Sequence, residues 1–250
     1  MTKLTHLKKV PDLSAYFWII KILSTAMGEA LSDFLVHTID PIIAVVLGAA
    51  GLTIALIIQF SSTSYKPWKY WLTVSMVAIF GTMAADVLHV GLGVPYLVST
   101  ILFMAALAAV FIIWYKKEKT LSIHSIYTVR REVFYWLTVM ATFALGTAAG
   151  DMTAKTLGLG YLSSGILFAI LILIPAIAYF RFKANEVVTF WIAYILTRPL
   201  GASFADWLGV PAYLGGLDLG RGWVSLVLVI LIICFVAHIS AIDRKLKNPL

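Results

Sequence analysis

The sequence predicts an all-α, polytopic membrane protein of eight transmembrane helices, arranged as four parallel two-helix repeats with odd helices inner and even helices outer. Three observations carry this reading. The composition is 61% hydrophobic and 12% charged, with a mean hydropathy of +0.95, whereas a soluble domain is about 45–50% apolar and about 25% charged. The apolar stretches extend from residue 13 to residue 242 as continuous runs rather than period-two alternation, which selects helices over a β-barrel. A three-residue pattern also recurs four times along the chain.

A spanning helix needs about 20 apolar residues. The predicted spans are 13–36, 41–60, 70–90, 95–115, 133–154, 160–180, 187–208 and 222–241. Fifteen of the 19 Lys and Arg fall on one side of this arrangement, at Lys3, Lys8, Lys9, Lys66, Lys69, Lys116, Lys117, Lys119, Arg130, Arg131, Arg181, Lys183, Arg244, Lys245 and Lys247. The opposite loops hold Lys155 and Arg221, while Lys21 and Arg198 fall inside spans. Positive charge stays in the cytoplasm, so both termini are expected inside, in a cell (inner) membrane. The opening segment has basic residues without a short apolar region and cleavage site, so no removable leader is expected. One cysteine, Cys234, excludes an intramolecular disulfide or thiolate cluster.

The repeat is [FY]-W-x9-G-x4-D. Its dipeptides are Phe17-Trp18, Tyr70-Trp71, Tyr135-Trp136 and Phe190-Trp191. Ten residues past each Trp comes Gly28, Gly81, Gly146 or Gly201, and five further comes Asp33, Asp86, Asp151 or Asp206. The repeats cover about 13–62, 66–117, 131–183 and 187–242 of a single membrane domain, 1–250. On Trp18, Trp71, Trp136 and Trp191 the chain resembles a family of bacterial integral membrane proteins built from four tandem two-span repeats of unknown function, each with a characteristic tryptophan. The resemblance implies the architecture and no activity.

A two-helix repeat enters the membrane in the same orientation each time, so equivalent residues share one depth. At 1.5 Å per residue each Asp lies about 22 Å beyond its Trp. The Trp residues are expected at the interface as anchors, the Gly near mid-membrane and the Asp in the outer part. One turn before each Asp come Glu29, Thr82, Thr147 and Ala202. A carboxylate facing lipid is costly, so the Asp are expected to point inward around a shared site. Local pairing at the interface competes with this, and Asp151 with Lys155 has the i,i+4 spacing for it.

Arg198 needs a partner inside the membrane, either Glu29 or a bound anion. Lys21 is expected to neutralise Glu29 or to snorkel. His37 and His89 follow Asp33 and Asp86 on one helix face, a spacing open to metal ligation by Asp33, Asp86, Asp151, Asp206, His37 and His89. His6, His124 and His238 are expected to be solvated or interfacial. The GLGVPYL, LGLGYL and LGVPAYLGG strings after three of the Asp read as turns between spans. Five acids against Lys21 and Arg198 leave the core acidic, and oxygen donors suit hard cations or protons.

These residues favour a proton-coupled membrane transporter or channel for a cation, including a metal ion, over a proton-coupled small-organic-solute transporter in which Arg198 holds an anionic group. No enzyme motif is present, so catalysis is not expected. Expected partners are the lipid bilayer and a small cation or solute, not nucleic acid, and the expected cofactor is none beyond a bound divalent cation.

Overall fold

The computed structural model describes residues 8–247; Lys3 and His6 lie outside them. All regular structure there is helical: α1 Ala15–Thr38, α2 Pro41–Phe60, α3 Pro67–Asp86, α4 Tyr96–Glu118, α5 Val129–Asp151, α6 Gly160–Phe182, α7 Glu186–Gly209 and α8 Arg221–Lys247. Seven of these helices are long and apolar enough to cross a membrane, which makes the chain a multi-pass membrane protein. The eighth, α1, carries Lys21, Glu29 and Asp33 within its 24 residues.

Short-range chemistry sets the boundaries. Ser14 caps α1, and Asp40 Oδ1 accepts from the Ile42 and Ile43 amides just before Pro41 opens α2. Asn185 does the same for α7 through Val187 and Val188. The Gly-rich strings are turns, with Gly93, Gly158, Gly160 and Gly215 at positive φ. A π-helical turn follows the Asp in two repeats, at Val87–Gly91 and Met152–Thr156.

The odd helices close a cycle: α1 packs on α3, α3 on α5, α5 on α7, and α7 on α1. Each even helix packs chiefly on the odd helix of the following repeat: α2 on α3, α4 on α5, α6 on α7, and α8 back on α1. The packing hairpin is thus shifted by one helix from the sequence repeat. In the membrane-crossing windows, 56–67% of residues are buried in α3, α5 and α7, against 17–22% in α2, α4, α6 and α8.

The repeated pattern explains the cycle. At the end where α1 begins, each pattern aromatic meets the Trp of the next repeat: Phe17–Trp71 at 5.7 Å, Tyr70–Trp136 at 5.6 Å, Tyr135–Trp191 at 6.2 Å and Phe190–Trp18 at 5.8 Å between ring centroids. Trp71, Trp136 and Trp191 are buried, so the expectation of interfacial anchors is corrected: the indoles form an internal belt.

The pattern Gly serve the same interlock. Each receives the residue seven past the Trp of the next repeat. A Cβ on Gly28 would lie 2.5 Å from Ala78 Cβ, on Gly81 2.9 Å from Phe143 Cβ, on Gly146 2.3 Å from Arg198 Cγ, and on Gly201 2.1 Å from Thr25 Oγ1. Ten residues from the Trp is therefore a packing distance, the notch into which the neighbouring helix fits.

Below the belt, Lys9 Nζ donates to Glu132 Oε2 at 2.6 Å and Gln59 Nε2 donates to Glu132 Oε1 at 2.9 Å, all three buried. This polar knot ties the segment before α1 to α2 and α5, and it removes Lys9 from the solvated basic set. His124 and His238 are exposed.

Candidate functional site

A layer of equivalent residues lies between the aromatic belt and the Asp end. Four residues past Arg198 on α7, at Ala202, the pattern supplies no polar group. The other three repeats supply Glu29, Thr82 and Thr147 at that level. Arg198 Nη2 reaches all of them, 2.5 Å from Glu29 Oε2, 2.6 Å from Thr82 Oγ1 and 2.7 Å from Thr147 Oγ1. The Thr82 and Thr147 hydroxyls donate to Ala78 and Phe143 carbonyl oxygens, which leaves their lone pairs for the guanidinium. Arg198 is fully buried and Glu29 nearly so. The sequence expectation of a Glu29 partner for Arg198 thus meets a four-helix junction rather than a simple pair.

Lys21 departs from expectation. It is 1% exposed, neither snorkelling nor bound to Glu29. Its Nζ lies 4.1 Å from the Phe143 and Tyr194 ring centroids and has no hydrogen-bond partner. Phe143 also carries the Arg198 guanidinium 5.5 Å from its centroid. With Tyr70, Tyr135 and Tyr194 also buried, and Tyr70 Oη 2.5 Å from Tyr135 Oη, large side chains fill this part of the bundle.

Beyond that layer, the four pattern Asp come together, their tightest groupings being two sets of three. Asp86 and Asp151 join His89, and Asp33 and Asp206 join Glu29; within each group one potential ligand atom per residue lies within 4.8 Å of the others. The two sets are not isolated: the charges of Glu29 and Asp33 act on Asp86, and that of Asp151 acts on Asp206. Lys155 Nζ is 2.8 Å from Asp151 Oδ1, the local pairing that its spacing offered. Arg221 Nε is 3.0 Å from Asp33 Oδ2. Among the described residues, Asp86 and Asp206 have no ion-pair or hydrogen-bond partner. Arg221 and Lys155 also reduce the acid excess expected from Lys21 and Arg198 alone.

His37 lies outside both groups; it is exposed, and its Nδ1 is 2.7 Å from the Asp33 carbonyl oxygen. His89 is buried, its Nε2 2.6 Å from Ser99 Oγ and its ring 4.5 Å from Tyr96 between centroids. Ser99, Arg221 and the Phe143–Tyr194 cage were not singled out in the sequence. A signal for Ser99 exists in the Tyr-Leu-x-Ser string, which occurs at 96–99 and again at 161–164. Arg221 reaches Asp33 only because α8 folds back on α1.

No curated protein matches the chain, and no solved structure does. The family model described as Repeat of Unknown Function (DUF347) matches residues 16–65, 69–120, 134–185 and 189–245. With four tandem copies over most of its length, the chain belongs to the DUF347 repeat family.

Proposed function

We propose that the protein is a cation transporter, not an enzyme, of a cell (inner) membrane, with both termini cytoplasmic, odd helices forming the inner bundle and even helices facing lipid. The observation that carries this reading is the gathering of Glu29 and all four pattern Asp into two groups with ligand atoms within 4.8 Å, two of the carboxylates having no ion-pair or hydrogen-bond partner among the described residues. Intramembrane carboxylates are costly and mark ion pathways or proton relays. The carboxylates exchange a proton for a cation, and an ion gradient drives the cycle, since no nucleotide-binding motif is present. Arg198, Phe143 and Tyr194, each fully buried, favour a transporter with alternating access over an open channel.

The test is flux into proteoliposomes against a panel of protons and mono- and divalent cations. Asp86→Asn and Asp206→Asn are expected to lower flux of the transported cation at least tenfold. Flux equal to wild type for all four Asp→Asn variants and every cation overturns the reading.

One observation favours a second reading, a proton-coupled transporter of small organic anions. Arg198 Nε and Nη1 and Lys21 Nζ are buried donors without acceptors. In that case counterflow of small carboxylates, not cation flux, depends on Arg198.

A further inference from the structure

We propose that the Asp86–His89–Asp151 group is a mixed nitrogen–oxygen site for a divalent transition-metal ion. This rests on the cation reading above and names the cargo class at one of its two groups. The decisive feature is the tautomer of His89. Ser99 Oγ lies 3.0 Å from the Tyr96 carbonyl oxygen and 3.4 Å from that of Pro95, either of which can accept the hydroxyl proton. Its lone pair, 2.6 Å from His89 Nε2, then accepts the ring proton. In that arrangement Nε2 is the donor of the neutral imidazole and Nδ1 keeps its lone pair.

Nδ1 is buried and has no hydrogen-bond partner, in a side chain only 7% exposed. A ring nitrogen held basic by a hydrogen bond at its other nitrogen is the arrangement of metal-bound histidines. Asp86 and Asp151 each place a carboxylate oxygen within 4.8 Å of a His89 ring nitrogen and of each other. Ligands about 2.1 Å from one ion lie up to about 4.2 Å apart, so side-chain adjustment from the 4.8 Å limit closes the triad on it.

The donor set decides the class. Imidazole suits Mn, Fe, Co, Ni, Cu or Zn ions, whereas Mg²⁺ and Ca²⁺ prefer oxygen alone. This sharpens the hard-cation expectation from the sequence. Two carboxylates and one imidazole leave coordination positions open for water, which suits cargo that must leave again. Lys155 is the built-in competitor: its ammonium, 2.8 Å from Asp151 and 3.4 Å from Tyr96 Oη, holds one ligand until the metal arrives. Its side chain is 45% exposed, so it can swing away. Asp86 and His89 sit at the junction of α3 with a π-helical turn, a feature concentrated at functional sites.

The experiment uses the full chain in detergent micelles, titrated with Mn²⁺, Co²⁺ and Mg²⁺. Electron spin-echo modulation of bound Mn²⁺ is expected to show a directly coupled ¹⁴N nucleus in the wild type, a readout that needs no variant. His89→Gln is expected to remove that coupling and weaken Co²⁺ binding about 100-fold, and Ser99→Ala to weaken it about tenfold. Mg²⁺ is expected to bind at least tenfold more weakly than Mn²⁺. Manganese bound by oxygen only, or Co²⁺ affinity unchanged in His89→Gln, overturns the metal site; if Asp86→Asn still abolishes cation flux, the wider cation reading survives that failure. No cation flux dependence on any pattern Asp overturns both.

Discussion

The two acidic groups at the Asp end draw their Asp from equivalent positions of the same repeat, yet their other members and their bases differ. The group on repeats 1 and 4 holds Glu29, Asp33 and Asp206, all oxygen donors, and two arginines enter it: fully buried Arg198 on Glu29 and Arg221 on Asp33. The group on repeats 2 and 3, whose residues at the level of Glu29 are Thr82 and Thr147, instead includes His89 from three residues past its Asp and a single, half-exposed lysine. Rigid guanidinium pairing ties the first group to the fold. A compact ammonium on a flexible stem leaves the second group free to exchange partners. Fourfold duplication supplied four equal acids, and the bases that differ between repeats pair with only two of them, Asp33 and Asp151.

The largest expected effect is at the first group. Arg198→Ala leaves Glu29 buried and unpaired, and removing one partner of a buried pair costs about 3–5 kcal/mol. Thermal denaturation in detergent is expected to show a large loss of stability or no folded protein, while Asp86→Asn melts like wild type. Equal stability of these two variants breaks the comparison. Next comes Gly201→Ala, which drives a methyl into Thr25 and the Ala26 amide across the α1–α7 contact. Overpacking of this kind costs about 1–3 kcal/mol, read in the same melt; Gly93→Ala, in a loop with no atom within 4 Å of its Cβ position, carries only its positive-φ strain and is expected to cost less.

A smaller effect sharpens the functional half. Lys155→Gln removes the competing cation from Asp151 and is expected to raise Mn²⁺ affinity several-fold, measured by titration. Arg221→Gln at the other group is expected to leave Mn²⁺ affinity unchanged. The smallest is Asp33→Asn, for which the Mn²⁺ titration is expected to match wild type, because Asp33 belongs to the other group. A shift as large as that of Asp86→Asn would show that the two groups act as one.

Much of this was legible in the chain before any coordinates. The spans follow from unbroken apolar runs, and the level of each Asp follows from the constant spacing Trp18 to Asp33, Trp71 to Asp86 and so on. What was not legible depends on which repeat touches which. A buried tryptophan and an interfacial one leave the same mark in a sequence, so Trp71 and Trp136 read as anchors until the belt of neighbouring rings placed them inside. Lys21 likewise lies one turn past Trp18, a spacing equally suited to snorkelling. Its enclosure depends on Phe143 and Tyr194 from other repeats. Glu29 with Arg198 was foreseeable from charge, whereas Thr82 and Thr147 meeting at the same nitrogen required closure of the cycle.

The return of α8 onto α1 has a consequence for how such a molecule is put together. Tyr16 and His238 stand 5.5 Å apart between ring centroids, so the start of α1 lies against the second half of α8. The architecture is a bracelet whose clasp happens to fall between the last and first helices. Joining the chain's ends and reopening it at the 61–66 connection would move the clasp from the α8–α1 pair to the equivalent α2–α3 pair, and a bracelet of this kind should fold from either seam.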